Sequence, residues 1–432
     1  MAQWEAMAVA EKVRPSGRVA FSHPNFTLFL SARSCIVLAL EMQSVAVGWQ
    51  VYDITKKPLD LGLIGLAQFL PSLLLFLVSG HVTDRVNRRY LLTICYLGFA
   101  TCSALLLTIT FRAPRAVLPI YGVVVLSGVV RAFNGPVTRA ILPQLIPEEH
   151  FANAVAWSSS ANQTANILGP SIGGFIYAAS RGPSAVYAAA MLAGIFAAFA
   201  TLRIRLESKP RPRQPVNLQT VLAGIHYIWR QKIVLGSISL DLFAVLLGGA
   251  VALLPVYARE ILHTGPWGLG LLRCSPGIGA ASMALLLAHR PLKGRSGRAM
   301  LWCVAGFGVF TILFGISRNL ILSMIALVMV GATDMVSVMT RAILVQMATP
   351  DEMRGRVNAV DMIFIGASNE LGQFESGLTA AWFGTVPAVI LGGIGTLVVT
   401  ALWAWGFPEL RHAHAPYPGS VEPSGRECAG EG

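Results

Sequence analysis

Thr138-Arg139-Ala140-Ile141-Leu142, followed by Pro147-Glu148-Glu149 and Asn153-Ala154-Val155, is written a second time as Thr340-Arg341-Ala342-Ile343-Leu344, Pro350-Asp351-Glu352 and Asn358-Ala359-Val360. The copies stand 202 positions apart at the threonine and 205 at the asparagine. Downstream, Asn166-Ile167-Leu168-Gly169 with Gly174 is echoed by Asn369-Glu370-Leu371-Gly372 with Gly377. Four blocks matched in one order indicate an internal duplication. Its period is near half of the 432 residues, far longer than that of a solenoid, so the chain consists of two homologous halves. Each copy joins two long apolar segments.

Composition sets the class of those segments. Hydrophobic residues make up 54% of the chain and charged residues 12%, against about 25% charged in a soluble domain. Several apolar runs reach the roughly 20 residues that carry a helix across a bilayer. In lipid every backbone polar group must pair internally, so such runs are helices. They are too long for the strands of an outer-membrane barrel, which are about ten residues. The net charge of +12 suggests nucleic acid only in a soluble protein; here its placement along the chain explains it. Of six cysteines, five lie inside apolar runs and none forms Cys-x-x-Cys, which argues against a disulfide framework or a zinc site.

In order, residues 1–25 are a polar N-terminal region with no removable signal pattern. A first six-helix bundle is expected over 26–204, with spans near 26–51, 61–80, 90–111, 117–135, 153–178 and 184–204. Residues 205–232 form a basic linker that contains Pro210, Pro212 and Pro215 and a short amphipathic helix near 217–229 on the membrane face. A second bundle is expected over 233–407, with spans near 233–258, 267–289, 299–316, 320–339, 358–380 and 384–406. Residues 408–432 are a polar tail. With the N-terminus placed in the cytoplasm, cytoplasmic segments hold 23 of the 33 basic residues, a positive-inside bias that puts both termini and the linker on that side. The copies lie six spans apart, an even number, so the halves are parallel repeats.

Several motifs resemble those of the major facilitator superfamily. Gly80-x-x-x-Asp84-Arg85-x-x-Arg88-Arg89 is similar to its signature loop between helices two and three, with Asn87 where the family usually has glycine. Arg131-x-x-Asn134-Gly135 resembles the arginine motif of proton-coupled members, and Gly169-Pro170-x-x-Gly173-Gly174 resembles the helix-five motif of antiporters. Trp49-Gln50-Val51-Tyr52-Asp53 and Arg354-Gly355-Arg356-Val357-Asn358-Ala359 resemble the enterobactin-exporter and macrolide-efflux branch. Gly294-Arg295-Ser296-Gly297-Arg298 resembles a decayed second signature loop without its aspartate. The resemblance implies an all-α membrane protein of twelve spans in two parallel six-helix repeats.

The motifs also have direct physical readings. Asp84, Arg85, Arg88 and Arg89 can make charge-assisted bonds to helix ends, forming a latch that holds one conformation; the plainer alternative is a topogenic basic loop. Gly169, Gly173 and Gly174 allow close helix approach, and Pro170 removes a helix bond and permits a bend. Gly169-x-Ser171-x-Gly173 also matches a nucleophile elbow, but it lies inside a membrane helix with no intramembrane histidine, which excludes hydrolase chemistry.

Charges inside spans point to function. Each costs about 2.5–3.5 kcal/mol at a helix centre on insertion scales. Glu41, Arg131, Asp241 and Asp334 lie in helices one, four, seven and ten, which in the superfamily line the central cavity; they are the candidates for proton coupling, with structural ion pairing as the alternative. Glu41 is expected to carry the proton and Arg131 to tune it. Glu370 and Glu375 in helix eleven replace Ile167 and Ile172 of the first copy and are either a second acidic site or partners of Arg273. Arg33 and Arg273 are expected to snorkel. Trp49, Tyr52, Phe69 and Trp157 offer stacking surface to a substrate or anchor the interface.

The resulting expectation is a monomeric secondary transporter in a bacterial inner membrane. It exports a small amphiphilic molecule, siderophore- or drug-like, by proton antiport and alternating access. It needs no cofactor or metal and binds no nucleic acid; its partners are substrate, protons and bilayer. A receptor or scaffold on this fold, a membrane enzyme and an uncoupled or importing transporter are the alternatives. The absence of a P-loop excludes a self-contained ATP-driven pump.

Overall fold

Long apolar runs satisfy their backbones as helices, and the computed structural model describes helices in residues 18–112, 115–205, 218–290 and 296–413. Twelve long ones follow the two halves: α1 (Pro24–Thr55), α2 (Pro58–Leu74, continued by Phe76–Arg85), α3 (Arg88–Arg112), α4 (Leu118–Ile141), α5 (Phe151–Ser180) and α6 (Ser184–Arg203), then α7 (Lys232–Gly248), α8 (Gly265–His289), α9 (Ser296–Ile316), α10 (Leu320–Ala348), α11 (Asp351–Phe383) and α12 (Thr385–Gly406). Pro24 and Pro58 open α1 and α2, where a missing N–H costs nothing, and Asn319 caps α10 by accepting from the Ile321 and Leu322 amides. The polar ends of the chain, the 206–217 part of the linker, and Gly294 with Arg295 lie outside the described residues.

Among the described residues, nine helices are long and apolar enough to cross a membrane by themselves. The other three are α2, which is interrupted at Leu75, and α5 and α11. The last two carry the polar residues of the repeat, from Asn153 to Asn166 and from Asn358 to Glu375, so they need protein rather than lipid on one side. Two spans differ from the expected continuous helices. In α2, Pro71 weakens the ladder, and the helix resumes at Phe76 and runs on to Arg85, which leaves only Val86 and Asn87 between α2 and α3. The seventh span breaks at Gly249 and proceeds through a 3-10 turn (Ala250–Leu253) and a π turn (Tyr257–Ile261). The Gly249 carbonyl freed by the break accepts from the Ser376 hydroxyl of α11 at 2.9 Å, so the non-helical backbone is satisfied within protein.

The duplication is visible in the packing. In the first half α1 packs on α5 and α6, α2 on α4, and α3 on α4 and α6; in the second α7 packs on α11 and α12, α8 on α10, and α9 on α10 and α12. Each of these contacts recurs six helices later, while α7 also packs on α9 and α10 without an equal contact of α1 on α3 and α4. The main pairings that join the halves are α5 on α8 and α2 on α11. The core is divided unevenly. One cluster draws on both halves, with Trp49, Tyr177 and Tyr187 beside Leu254, Tyr257 and Phe314. Toward the opposite face the clusters separate, one in the first half around Phe29, Tyr96 and Ile141 and two in the second. The linker helix, Leu218–Arg230, does not merely lie on a membrane surface: Ile228 is buried with Val345 and Val357, and the Tyr227 hydroxyl donates to the Ala348 carbonyl at 2.6 Å. At the same face Lys232 reaches Glu409 at 2.9 Å, and that bond holds the Glu409 carboxyl below its usual range.

Candidate functional site

Four helices bring charge to the middle of the molecule. Arg131 of α4 faces Glu370 of α11 at 3.9 Å, and Gln373, one turn on, donates to the same carboxylate at 3.2 Å. Arg273 of α8 donates to Ser44 of α1 and interacts electrostatically with both Glu41 and Glu370. Glu41 sits against α5, where a Cβ on Gly169 would lie 2.5 Å from its own Cβ. Arg273 therefore does not snorkel to a helix end; it ties α8 to α1. Arg33 also stays inside, donating to Ser158 at 2.7 Å and Asn162 at 3.4 Å.

From the Arg131–Glu370 pair a cavity of about 620 Å³ runs between α2 and α4 on one side and α11 on the other. It extends to Gly80, Arg139 and Gly355, on the face that carries the α2–α3 turn and the linker helix. Phe69 and Leu73 line one wall and Met362 and Ile363 the other. The opposite end is closed by backbone contact. A Cβ on Gly174 of α5 would lie 3.0 Å from the Gly270 Cα of α8, and a Cβ on Gly377 of α11 would lie 2.9 Å from the Gly62 Cα of α2. Gly377 is the repeat of Gly174, so the two halves close on each other by the same device. Beyond it, Asp53 pairs with Arg259, Tyr52 donates to Glu260, and the Arg259 guanidinium lies over Trp49. Trp49 and Tyr52 thus belong to this closure, Phe69 to the cavity, and Trp157 to a contact with Phe21 at the far face.

Asp241 and Asp334 are not brought to Glu41 and Arg131. Arg341 of α10 reaches Asp241 of α7 at 3.4 Å and Asp361 of α11 at 2.8 Å, with only 4% of Arg341 exposed. Asp334 shares a small void with Asp241 and Ser337. This cluster lies inside the second half. Glu375 bonds Thr379 at 2.7 Å and does not join Arg273.

In the basic turn, Arg88 donates to the Ala140 carbonyl at 3.4 Å and Arg89 to the Leu202 carbonyl, placing cations at the C-terminal ends of α4 and α6. Both bonds stay within the first half. Arg85 is exposed, Gly80 borders the cavity with open space around it, and the Asp84 side chain lies outside the described part of the structure. Within the helix-five motif, Gly169 and Gly173 receive α1, and Pro170 and Gly174 meet α8.

Sequence reasoning passed over three groups. Asp361 and Arg341 sit near the helix ends, where charge is unremarkable, and Gln373 is uncharged. The signal for Arg341 was present, since it belongs to the repeated Thr-Arg-Ala-Ile-Leu block.

Twelve helices in two repeats around a polar mid-plane cavity define the class as a secondary membrane transporter. Residues 16–416 match the model of the transmembrane secretion effector family, so the chain belongs to that family of the major facilitator superfamily. It is similar to the enterobactin exporter EntS of Escherichia coli O9:H4 (strain HS), 26% identical over 401 residues that cover 90% of this chain and 94% of the relative. The enterobactin exporter of Shigella boydii serotype 18 is likewise 26% identical over 400 residues, covering 90% and 93%. Among solved structures, a bacterial homolog of the human lysosomal transporter Spinster superposes with a TM-score of 0.70 at 12% identity, covering 90% of this chain and 99% of that one. A D-xylose–proton symporter superposes with a TM-score of 0.68 at 13% identity, covering 90% and 99%. The protein is a multi-pass membrane transporter and not an enzyme.

Proposed function

We propose that this transporter exports a small amphiphilic molecule, siderophore- or drug-like, across a bacterial inner membrane in exchange for protons. The observation that carries the reading is the asymmetry of the central passage. A 620 Å³ cavity reaches from the Arg131–Glu370 pair to one face, and glycine contacts between the halves seal the other. The open face carries the basic turn and the linker, so it is the cytoplasmic one, with both termini on that side. The likeness to enterobactin exporters and the helix-five glycine motif favour outward movement.

Transport proceeds by rocking of the halves, 26–204 and 233–407, around the mid-plane, in a monomer. Glu41 and Glu370 are the proton carriers, held near Arg273 and Arg131. A carboxylate that is neutral in one state and charged in the other biases the two conformations as each opens to its own side. Asp241 and Asp334 stabilise the second half, with Arg341 as their counter-charge. Everted vesicles holding an imposed proton gradient test the assignment. Enterobactin and a panel of amphiphilic drugs are added in turn, and a transported compound collapses part of the gradient; if none does so in vesicles that take the compounds up, proton antiport is wrong.

A further inference from the structure

The duplicated Thr-Arg-Ala-Ile-Leu block gives each half one arginine near the cavity-side end of a span, and the two have taken opposite roles. Arg341 is consumed by Asp241 and Asp361. Arg139, its repeat, lines the cavity, and its partner is the Met362 thioether of the other half, 2.7 Å from Nη1. Among the described residues no carboxylate pairs with Arg139. Eight residues away on α4, about 12 Å of helix, is Arg131, whose contact with Glu370 is long at 3.9 Å. Arg273 lines the narrower pocket of about 70 Å³ that continues inward from Arg131. Arg33 adds positive potential behind Arg139, within electrostatic reach and bonded only to neutral Ser158 and Asn162.

Among the described residues, three guanidinium groups and one carboxylate, that of Glu370, line the passage, with Glu41 behind them in electrostatic reach of Arg273. Its remaining walls combine apolar side chains with neutral polar ones such as Gln68, Ser72, Asn358 and Gln373. A cleft lined by one sign of charge between low-dielectric walls concentrates the opposite charge. Arg139 and Arg131 are both exposed to the cavity, and an anionic occupant gains charge-assisted bonds from them. The guanidinium fork matches a carboxylate, sulfonate or phosphate, while Phe69, Leu73 and Ile363 accept a ring or short acyl body. We infer that the transported molecule is an anionic amphiphile: an apolar or aromatic body with an acidic head that Arg139 receives first and Arg131 second.

This rests on the export reading and is tested apart from it, by binding at equilibrium. The purified protein in lipid nanodiscs is titrated with two probes that share one ring system, 1-naphthylacetate and 1-naphthylmethylammonium. The acetate is expected to bind at least ten-fold more tightly. Arg139→Lys is expected to keep that preference, Arg139→Gln to erase most of it, and Arg139→Glu to shift it at least ten-fold toward the ammonium, with thermal unfolding of each variant read alongside. Equal or tighter binding of the ammonium by the parent protein, binding of neither probe, or a preference that survives Arg139→Gln and Arg139→Glu would overturn the inference. Gradient-driven transport in vesicles, which does not depend on the probes, would still stand or fall separately.

Discussion

Gly174 of α5 and Gly270 of α8 meet backbone to backbone, and a side chain on either would collide with the other helix: a Cβ on Gly270 would lie 2.7 Å from the Pro170 carbonyl and 3.0 Å from the Ser171 Cα. The contact joins the halves on the side where they share one core. In the proposed rocking mechanism it parts when that side opens, so its cost when disturbed falls on one of the two conformations.

Gly174→Leu is therefore expected to favour the state in which the cytoplasmic cavity is shut. Overpacking of about 1–3 kcal/mol changes the equilibrium by a factor of about five to 150. In a cysteine-free background with Met362→Cys as reporter, a maleimide applied from the cavity side should label the Gly174→Leu protein several-fold more slowly. Unchanged labelling and unchanged transport would show that the glycines are simple packing.

Arg341→Met is expected to act on stability. It leaves Asp241 and Asp361 buried without their counter-charge, a loss of about 3–5 kcal/mol when one partner of a buried pair is removed. Membrane yield and thermal unfolding temperature should drop together, and the folded remainder should transport at nearly the parent rate. Normal yield with abolished transport would instead put the cluster in the transport cycle.

Pairing in this cluster was not legible in advance. The duplication predicts that the contacts of one half recur in the other, and the main ones do, although α7 packs on α9 and α10 in a way that α1 does not match. The polarity of α5 and α11 marks them as interior helices. The charges were visible by type, yet their partners depend on how each helix is rotated about its axis. A span that is apolar nearly all round carries little signal of that rotation. Asp241 and Arg131 thus looked equivalent, although one faces its own bundle and the other the passage. Asp361 and Arg341 were passed over because basic and acidic residues are ordinary near a membrane surface. The break at Gly249 was equally hidden: glycine and proline stand there, but Pro170 and Pro276 lie within unbroken helices.

Asp84→Asn tests the signature turn. Arg88 and Arg89 already hold the ends of α4 and α6 in the structure with the cavity open. The aspartate is then expected to matter mainly when that face closes. Removing one charge-assisted bond of about 1.5–3 kcal/mol from the closed state should cut transport several-fold at equal expression. Full transport by the mutant would leave the turn with a purely topogenic role.

Proton exchange through the central carboxylates is the core of this account, and Glu41→Gln and Glu370→Gln in everted vesicles test it most directly. Each amide keeps the size and most of the polarity of the acid but cannot ionise. Uphill, gradient-driven accumulation and downhill exchange of the same substrate are measured on the same membranes, normalised to protein. The account predicts that at least one of the two variants loses uphill accumulation while its downhill exchange continues. Full gradient-driven accumulation by both variants, and by the double variant, would contradict it.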